Sequence, residues 1–443
     1  MKLPRIPLPP DGQDFAELMA LEKIGENTFK SASMPCPGGP RIFDGKLYIS
    51  TFGGHVYAQA AWAAAQTVPD GFVIHNTSGY FVAAGLSKHA FQYTVTHLRA
   101  GKSFLTVLVT VTQPTSPLSP DSCCFTATVS FKRPEPASSP IALNYQDPPL
   151  PNDGGPLTPV ADLLRHGSDG DSSSHRHPYP PHPRSLPVKR FDDLSAVLAF
   201  RPPHAFRSAS VPGIWWALLP YDASPDQQKE QQDGTKQKEW SSLQDARPAA
   251  RMMANLYTVK GSVSGGAGGS RRRTGGGEGT DSDSNSNSSG SSNGSKWRHI
   301  NLSICAHLYA SDRESLYLVT RSLGVREAVM AGGARSALAS ISHSVVLHDL
   351  GDGVVFPDAE VGDERERWFC QEVRTDRWAD GRVLVHGRIF DVDSGRHVAS
   401  TMQDGILKVD FGAEEEEMER ARKALGRGVG AEERRRLVEK AKM

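Results

Sequence analysis

The chain has no excess of charge of either sign: Lys plus Arg and Asp plus Glu both number 50. That balance removes the electrostatic case for nucleic acid or an anionic membrane surface as partner. Long apolar runs are also missing. The longest, such as Gly213 to Leu219, fall far short of the roughly 20 residues that span a bilayer. The N-terminus, Met1 to Pro7, is broken by prolines and lacks the apolar stretch of a signal peptide. Cysteine is scarce and odd in number, at five, and Cys123 and Cys124 adjoin in a strand-like segment where they face opposite ways. This pattern fits structural thiols in a reducing compartment, not a disulfide framework. No Cys/His spacing matches a zinc site, and prolines keep the tract His175 to His182 from closing a cage, so neither metal nor cofactor is expected.

What the chain does have divides it by composition. Residues 12–133 read as one dense globular unit, and 134–187 as a linker rich in Pro, Ser and His. Residues 188–411 read as a second unit carrying two insertions expected to be disordered, 223–240 and 261–296, with structure resuming at Trp297. Residues 412–443 form a charged, helix-prone tail. In the first unit, Gly53 to Ala65 is rich in small helix formers. Strand-like runs follow at Phe72–Val82, Ala90–Leu98, Phe104–Thr112 and Cys123–Phe131. The second unit repeats the order: a helical pattern through Leu302, Cys305 and Tyr309, then strands at Leu338–Leu347, Trp368–Thr375, Val383–Val392 and His397–Val409. A helix followed by an antiparallel meander, twice, points to an α+β fold, with a helix wrapped by a curved sheet in each half as one solution among other α+β folds of the same periodicity.

Several segments, in order, resemble the type II acyl-CoA thioesterases. They are Leu21 to Phe29, Phe52-Gly53-Gly54-His55, Tyr80-Phe81 with Gly85, and Leu98 to Phe104 in the first unit. In the second they are Tyr309-Ala310-Ser311-Asp312, Ala339 to Ser344, Val385 to Phe390 and Ala399 to Gly405. The resemblance spans roughly 12–133 and 188–410. It implies a double hot-dog fold, hydrolysis of medium- or long-chain fatty acyl-CoA, and a catalytic water held by Asp312, Ser340 and Gln403. It also points to Gly53, Gly54, His55, Tyr80, Phe81 and His343 as residues on the substrate.

Read as chemistry, Asp312 falls in line with the apolar stripe Leu302, Cys305 and Tyr309, where burial would raise its pKa and make it a better base. The alternative is a local cap with Ser311 and Glu314. Gln403 shares a strand face with Ala399, Thr401, Gly405 and Leu407; its amide could hold water and donate to an oxyanion, or be a satisfied core group. Ser340 stands among the alternating small polar residues Ser340, Ser342 and Ser344; its hydroxyl could orient water, and without a Gly-x-Ser-x-Gly elbow around it, it is not expected to be a nucleophile. His343 and His348 flank the same strand and read first as core or supporting groups. The start of the Gly53-Gly54 helix offers free N–H groups for a carbonyl or phosphate oxygen, although close packing is the first reading of both glycines.

The pattern departs from the family at His55, where Gln is usual, at Ser342, where Asp is usual, and at Val345 or Val346, where an aromatic is usual. These departures motivate a second expectation, a weak or inactive acyl-CoA-binding protein on the same scaffold. The terminal Ala441-Lys442-Met443 resembles the tripeptide read by the peroxisomal import receptor, which implies a peroxisomal address and otherwise a cytoplasmic one. Homo-oligomerisation is left open.

Overall fold

A computed structural model of the chain describes residues 13–43, 46–113, 123–135, 212–219, 252–261, 263, 291–313, 315, 316, 318, 335–358, 367–391 and 396–410. The linker beyond 135, its histidine tract, the insertion 223–240, the tail 412–443 and its final tripeptide lie outside the described residues.

The chain builds one unit twice. The first half runs α1 (Phe15–Leu18), β1 (Leu21–Lys23), β2 (Thr28–Ser31), β3 (Pro37–Phe43), β4 (Lys46–Thr51), α2 (Gly53–Ala65), β5 (Val73–Phe81), β6 (Gln92–Ala100), β7 (Phe104–Thr112) and β8 (Cys123–Lys132). The second runs β9 (Ile214–Leu219), β10 (Met252–Val259), α3 (Ser291–Ser311), β11 (Arg335–Leu347), β12 (Phe369–Ala379), β13 (Arg382–Asp391) and β14 (His397–Asp410). Apart from the small β3–β4 hairpin, the strands form one sheet in the order β1-β2-β6-β7-β8-β5-β11-β14-β13-β12-β10-β9. The two halves of that order correspond strand for strand about the antiparallel seam of β5 and β11, where Ser344 lies opposite Ser78 and donates to its hydroxyl at 3.0 Å. The fold is a double hot-dog: two central helices, each backed by its own six strands.

The sequence explains these elements simply. In β7 the side chains of Leu105, Val107, Val109 and Val111 are buried, while the alternate residues are partly open. Helix α2 is buried on every face from Gly54 to Ala64, and its alanines let the sheet and α3 approach closely. The one long polar side chain there, Gln59, is satisfied: its Oε1 accepts from the Tyr93 hydroxyl at 2.6 Å and from Ser31 Oγ at 2.8 Å.

Three expectations need correction. The strand after each helix does not open a meander. It pairs with the last strand of its unit, β5 with β8 and β11 with β14, because that closure puts both first strands at the seam. The insertion placed at 261–296 is too long at its end, since α3 already begins at Ser291. Asp312 is not on the helical stripe; it is the first residue past the end of α3.

Candidate active site

The end of α3, the start of α2 and the neighbouring strands β11 and β14 meet at one point. Asp312 arrives there because α3 stops at Ser311 and the chain turns, with the Arg313 N–H donating to the Ala310 carbonyl at 2.9 Å. Ser340 and Gln403 come from β11 and β14. A bulge between Ser340 and Ser342 places the extra residue Ile341 opposite the step from Asp404 to Gly405. Such a bulge bends the strand and re-aims its side chains. Here it sets the Ser340 hydroxyl beside the Gln403 amide.

The three side chains touch one another directly. Gln403 Nε2 donates to Asp312 Oδ1 at 2.5 Å and to Ser340 Oγ at 2.8 Å. Ser340 Oγ lies 3.4 Å from the same Asp312 oxygen. From the other half of the molecule, the backbone N–H of Gly54 donates to the Asp312 carboxylate. Gly53 faces its second oxygen so closely that a Cβ there would fall 2.6 Å from Oδ2. The carboxylate thus sits on the positive end of α2, which favours its charge, while the carbonyl end of α3 behind it disfavours charge.

Burial dominates the balance. It pushes the Asp312 carboxyl up to about 7, against the opposing pull of the hydrogen bonds from Gln403, Gly54 and Ser340 and the nearby Arg313 charge. A carboxylate poised near neutrality can take a proton and give it back at the pH of most cells. Neither nearby histidine is so placed. Burial lowers His343 to about 3 and His55 to about 4, so both imidazoles are neutral and poor bases.

The other expected site residues separate into groups. Phe81 stays at the site: a Cβ on Gly53 would lie 3.1 Å from its ring, and the ring packs on Phe125 at 4.9 Å between centroids. Tyr80 points outward and is 54% exposed. His55 and His343 are both buried in the core. His55 is enclosed because α2 is buried all round. His343 bonds through Nε2 to Ser311 Oγ at 2.7 Å and packs edge-on against Tyr57 at 4.9 Å. The Ser311 hydroxyl also lies 2.8 Å from the Leu308 carbonyl. The histidine contact braces the helix end carrying Asp312. His348 bonds Ser400 Oγ at 2.8 Å on the exposed side of the sheet.

Sequence reading missed one side chain at the site. Ser315 is buried, and its hydroxyl donates to Gln403 Oε1. Its only signal was a small polar residue three positions after Asp312, with no periodic pattern to mark it. The Gln403 amide therefore has both ends engaged.

The chain is similar to several known proteins. Residues 46–132 match the family model described as acyl-CoA thioesterase N-terminal domain. The chain is 32% identical over 143 residues to acyl-CoA thioesterase 2 of Haemophilus influenzae, covering 32% of this chain and 42% of that protein. It is 28% identical over 149 residues to acyl-coenzyme A thioesterase 8 of Mus musculus, covering 34% and 39%. The chain thus spans about two fifths of the length of these curated relatives. Among solved structures, an acyl-CoA thioesterase II, TesB2, from Mycobacterium marinum aligns with a TM-score of 0.46 at 17% identity, over 89% of this chain and 96% of that one.

Proposed function

We propose that this chain, whose residues 46–132 match the acyl-CoA thioesterase N-terminal domain model, hydrolyses medium- or long-chain fatty acyl-CoA to the free acid and CoA. The observation that supports this reading is a nearly buried carboxylate, Asp312, raised to about 7 and bonded to an amide and lying beside a hydroxyl. Asp312 takes a proton from a water held against Ser340, and the resulting hydroxide adds to the thioester carbonyl. As the carboxylate is neutralised, its hold on the Gln403 N–H and on the Gly54 N–H weakens. Those donors, with the positive end of α2, then serve the new oxyanion, since hydrogen-bond donors follow the charge. Collapse of the intermediate breaks the C–S bond. The proton passes from Asp312 to the departing thiolate, a transfer favoured because an ordinary thiol has a pKa of about 8.5. Water supplies the hydroxyl of the acid and the hydrogen of the thiol, so the step balances without a further reactant.

A thiol-release assay over a series of saturated acyl-CoA chain lengths tests the reading. Wild type should release CoA, and Asp312→Asn should lose roughly 100-fold or more in kcat while still binding substrate. Binding by wild type without CoA release would replace this reading with the acyl-CoA-binding protein.

A further inference from the structure

We infer that Ser315 is a positioning residue for this reaction: its hydroxyl fixes the orientation of the Gln403 amide, so that the N–H end and not the carbonyl end faces Asp312. The inference rests on the proposed hydrolytic function, in which Asp312 is the base. A glutamine amide has two chemically opposite ends, and the last torsion of its side chain is soft, so sterics alone choose poorly between them. The choice matters here. An N–H facing Asp312 stabilises the carboxylate, whereas a carbonyl facing it would stabilise the protonated acid and hold the proton the reaction must release.

The contacts of the amide set the choice from both ends. Nε2 is taken by Asp312 Oδ1 and Ser340 Oγ at 2.5 and 2.8 Å, which uses both of its hydrogens. Oε1 accepts from Ser315 Oγ. Without that hydroxyl, one end of the buried amide lacks a partner in either orientation, so the preference for the present one over the rotated one weakens. The turn holding Ser315 is itself fixed against β14: Leu316 lies over Gly405, where a Cβ would come within 2.7 Å of its Cδ1. Gly405 is two residues beyond Gln403 on the same face. Ser315 and Gln403 are therefore held in one frame, and Asp312 and Ser315 leave the same helix end three residues apart.

The test compares wild type, Ser315→Ala, Ser315→Thr and Asp312→Asn by thiol release across pH, with melting temperatures measured alongside. Ser315→Ala should lower kcat by about 10-fold with little change in KM. It should also move the acid limb of the pH profile upward, because the Gln403 bond that lowers the Asp312 pKa is weakened. Ser315→Thr, which keeps a hydroxyl, should recover most of both. The midpoint of the acid limb does not depend on how much enzyme is folded, so a destabilised variant still reports. If Ser315→Ala keeps the wild-type profile while Asp312→Asn is inactive, the role of Ser315 is refuted and the hydrolytic reading stands. If Asp312→Asn is as active as wild type, both fall together.

Discussion

At the scale of single residues, the site couples activity to instability through Asp312. Its carboxyl lies near 7 in the folded chain, above its ordinary 3.8. A group raised on folding contributes stability that is fully present below its unfolded value and is lost as pH rises through its folded one. The window is therefore about pH 4 to 7, and at higher pH the folded state carries a buried charge costing on the order of 2 to 4 kcal/mol. Asp312→Asn removes the charge and keeps the shape. Thermal melts should show the variant more stable than wild type by roughly 3 °C or more near pH 8, and by less near pH 5. Equal melting temperatures at both pH values would mean that the carboxylate is not strained by burial. With Asp312 as the proposed base, the expected rate rises with pH through about 7 and then levels.

At the scale of elements, the start of α2 is the part of the first half that lies against Asp312. Its two glycines act differently. A Cβ on Gly53 meets the Asp312 carboxylate at 2.6 Å, a side chain that can shift, whereas one on Gly54 meets the Tyr309 carbonyl at 2.5 Å and the Phe52 ring at 2.7 Å. Gly53→Ala should leave the melting temperature nearly unchanged, since alanine suits a helix, yet lower kcat about 10-fold by displacing the base. Gly54→Ala must separate two helices and should cost about 1 to 3 kcal/mol in urea or thermal melts as well as activity. Similar losses of stability for both variants would contradict this division.

The same elements show what the sequence made legible. The ends of α2 and β7 could be read directly, since a run of small helix formers and a clean two-residue alternation each have one solution. The meeting of Asp312, Ser340 and Gln403 followed from resemblance and not from spacing, because they stand on three elements far apart in the chain. Strand β10, the pairing of β5 with β8, the bulge at Ile341 and the contact of Ser315 were not legible. Each depends on which neighbour a segment finds in three dimensions. No local pattern in a short apolar stretch or a lone serine encodes that choice.

At the scale of the molecule, the two halves share one site but divide its parts unequally. The second half carries the acid, the hydroxyl and the amide, and the first supplies the Gly54 N–H, the positive helix end and Phe81. Neither half holds the full set, so the site depends on their docking. Among the described residues, that docking rests on the β5–β11 ladder and on the close packing of α2 against α3. A ladder of five registered pairs and a buried helix interface should hold without the covalent link, much as an obligate dimer does. A protease site inserted within the Pro/Ser/His-rich stretch 150–185, cut after folding, should leave two fragments that elute together and keep kcat within about 2-fold of the uncut enzyme. Dissociating them in denaturant should abolish activity, and mixing them on dilution should restore part of it. Fragments that separate in native buffer, or a cut complex that binds acyl-CoA but no longer turns it over, would show that the linker takes part in holding the α2 N-terminus on Asp312.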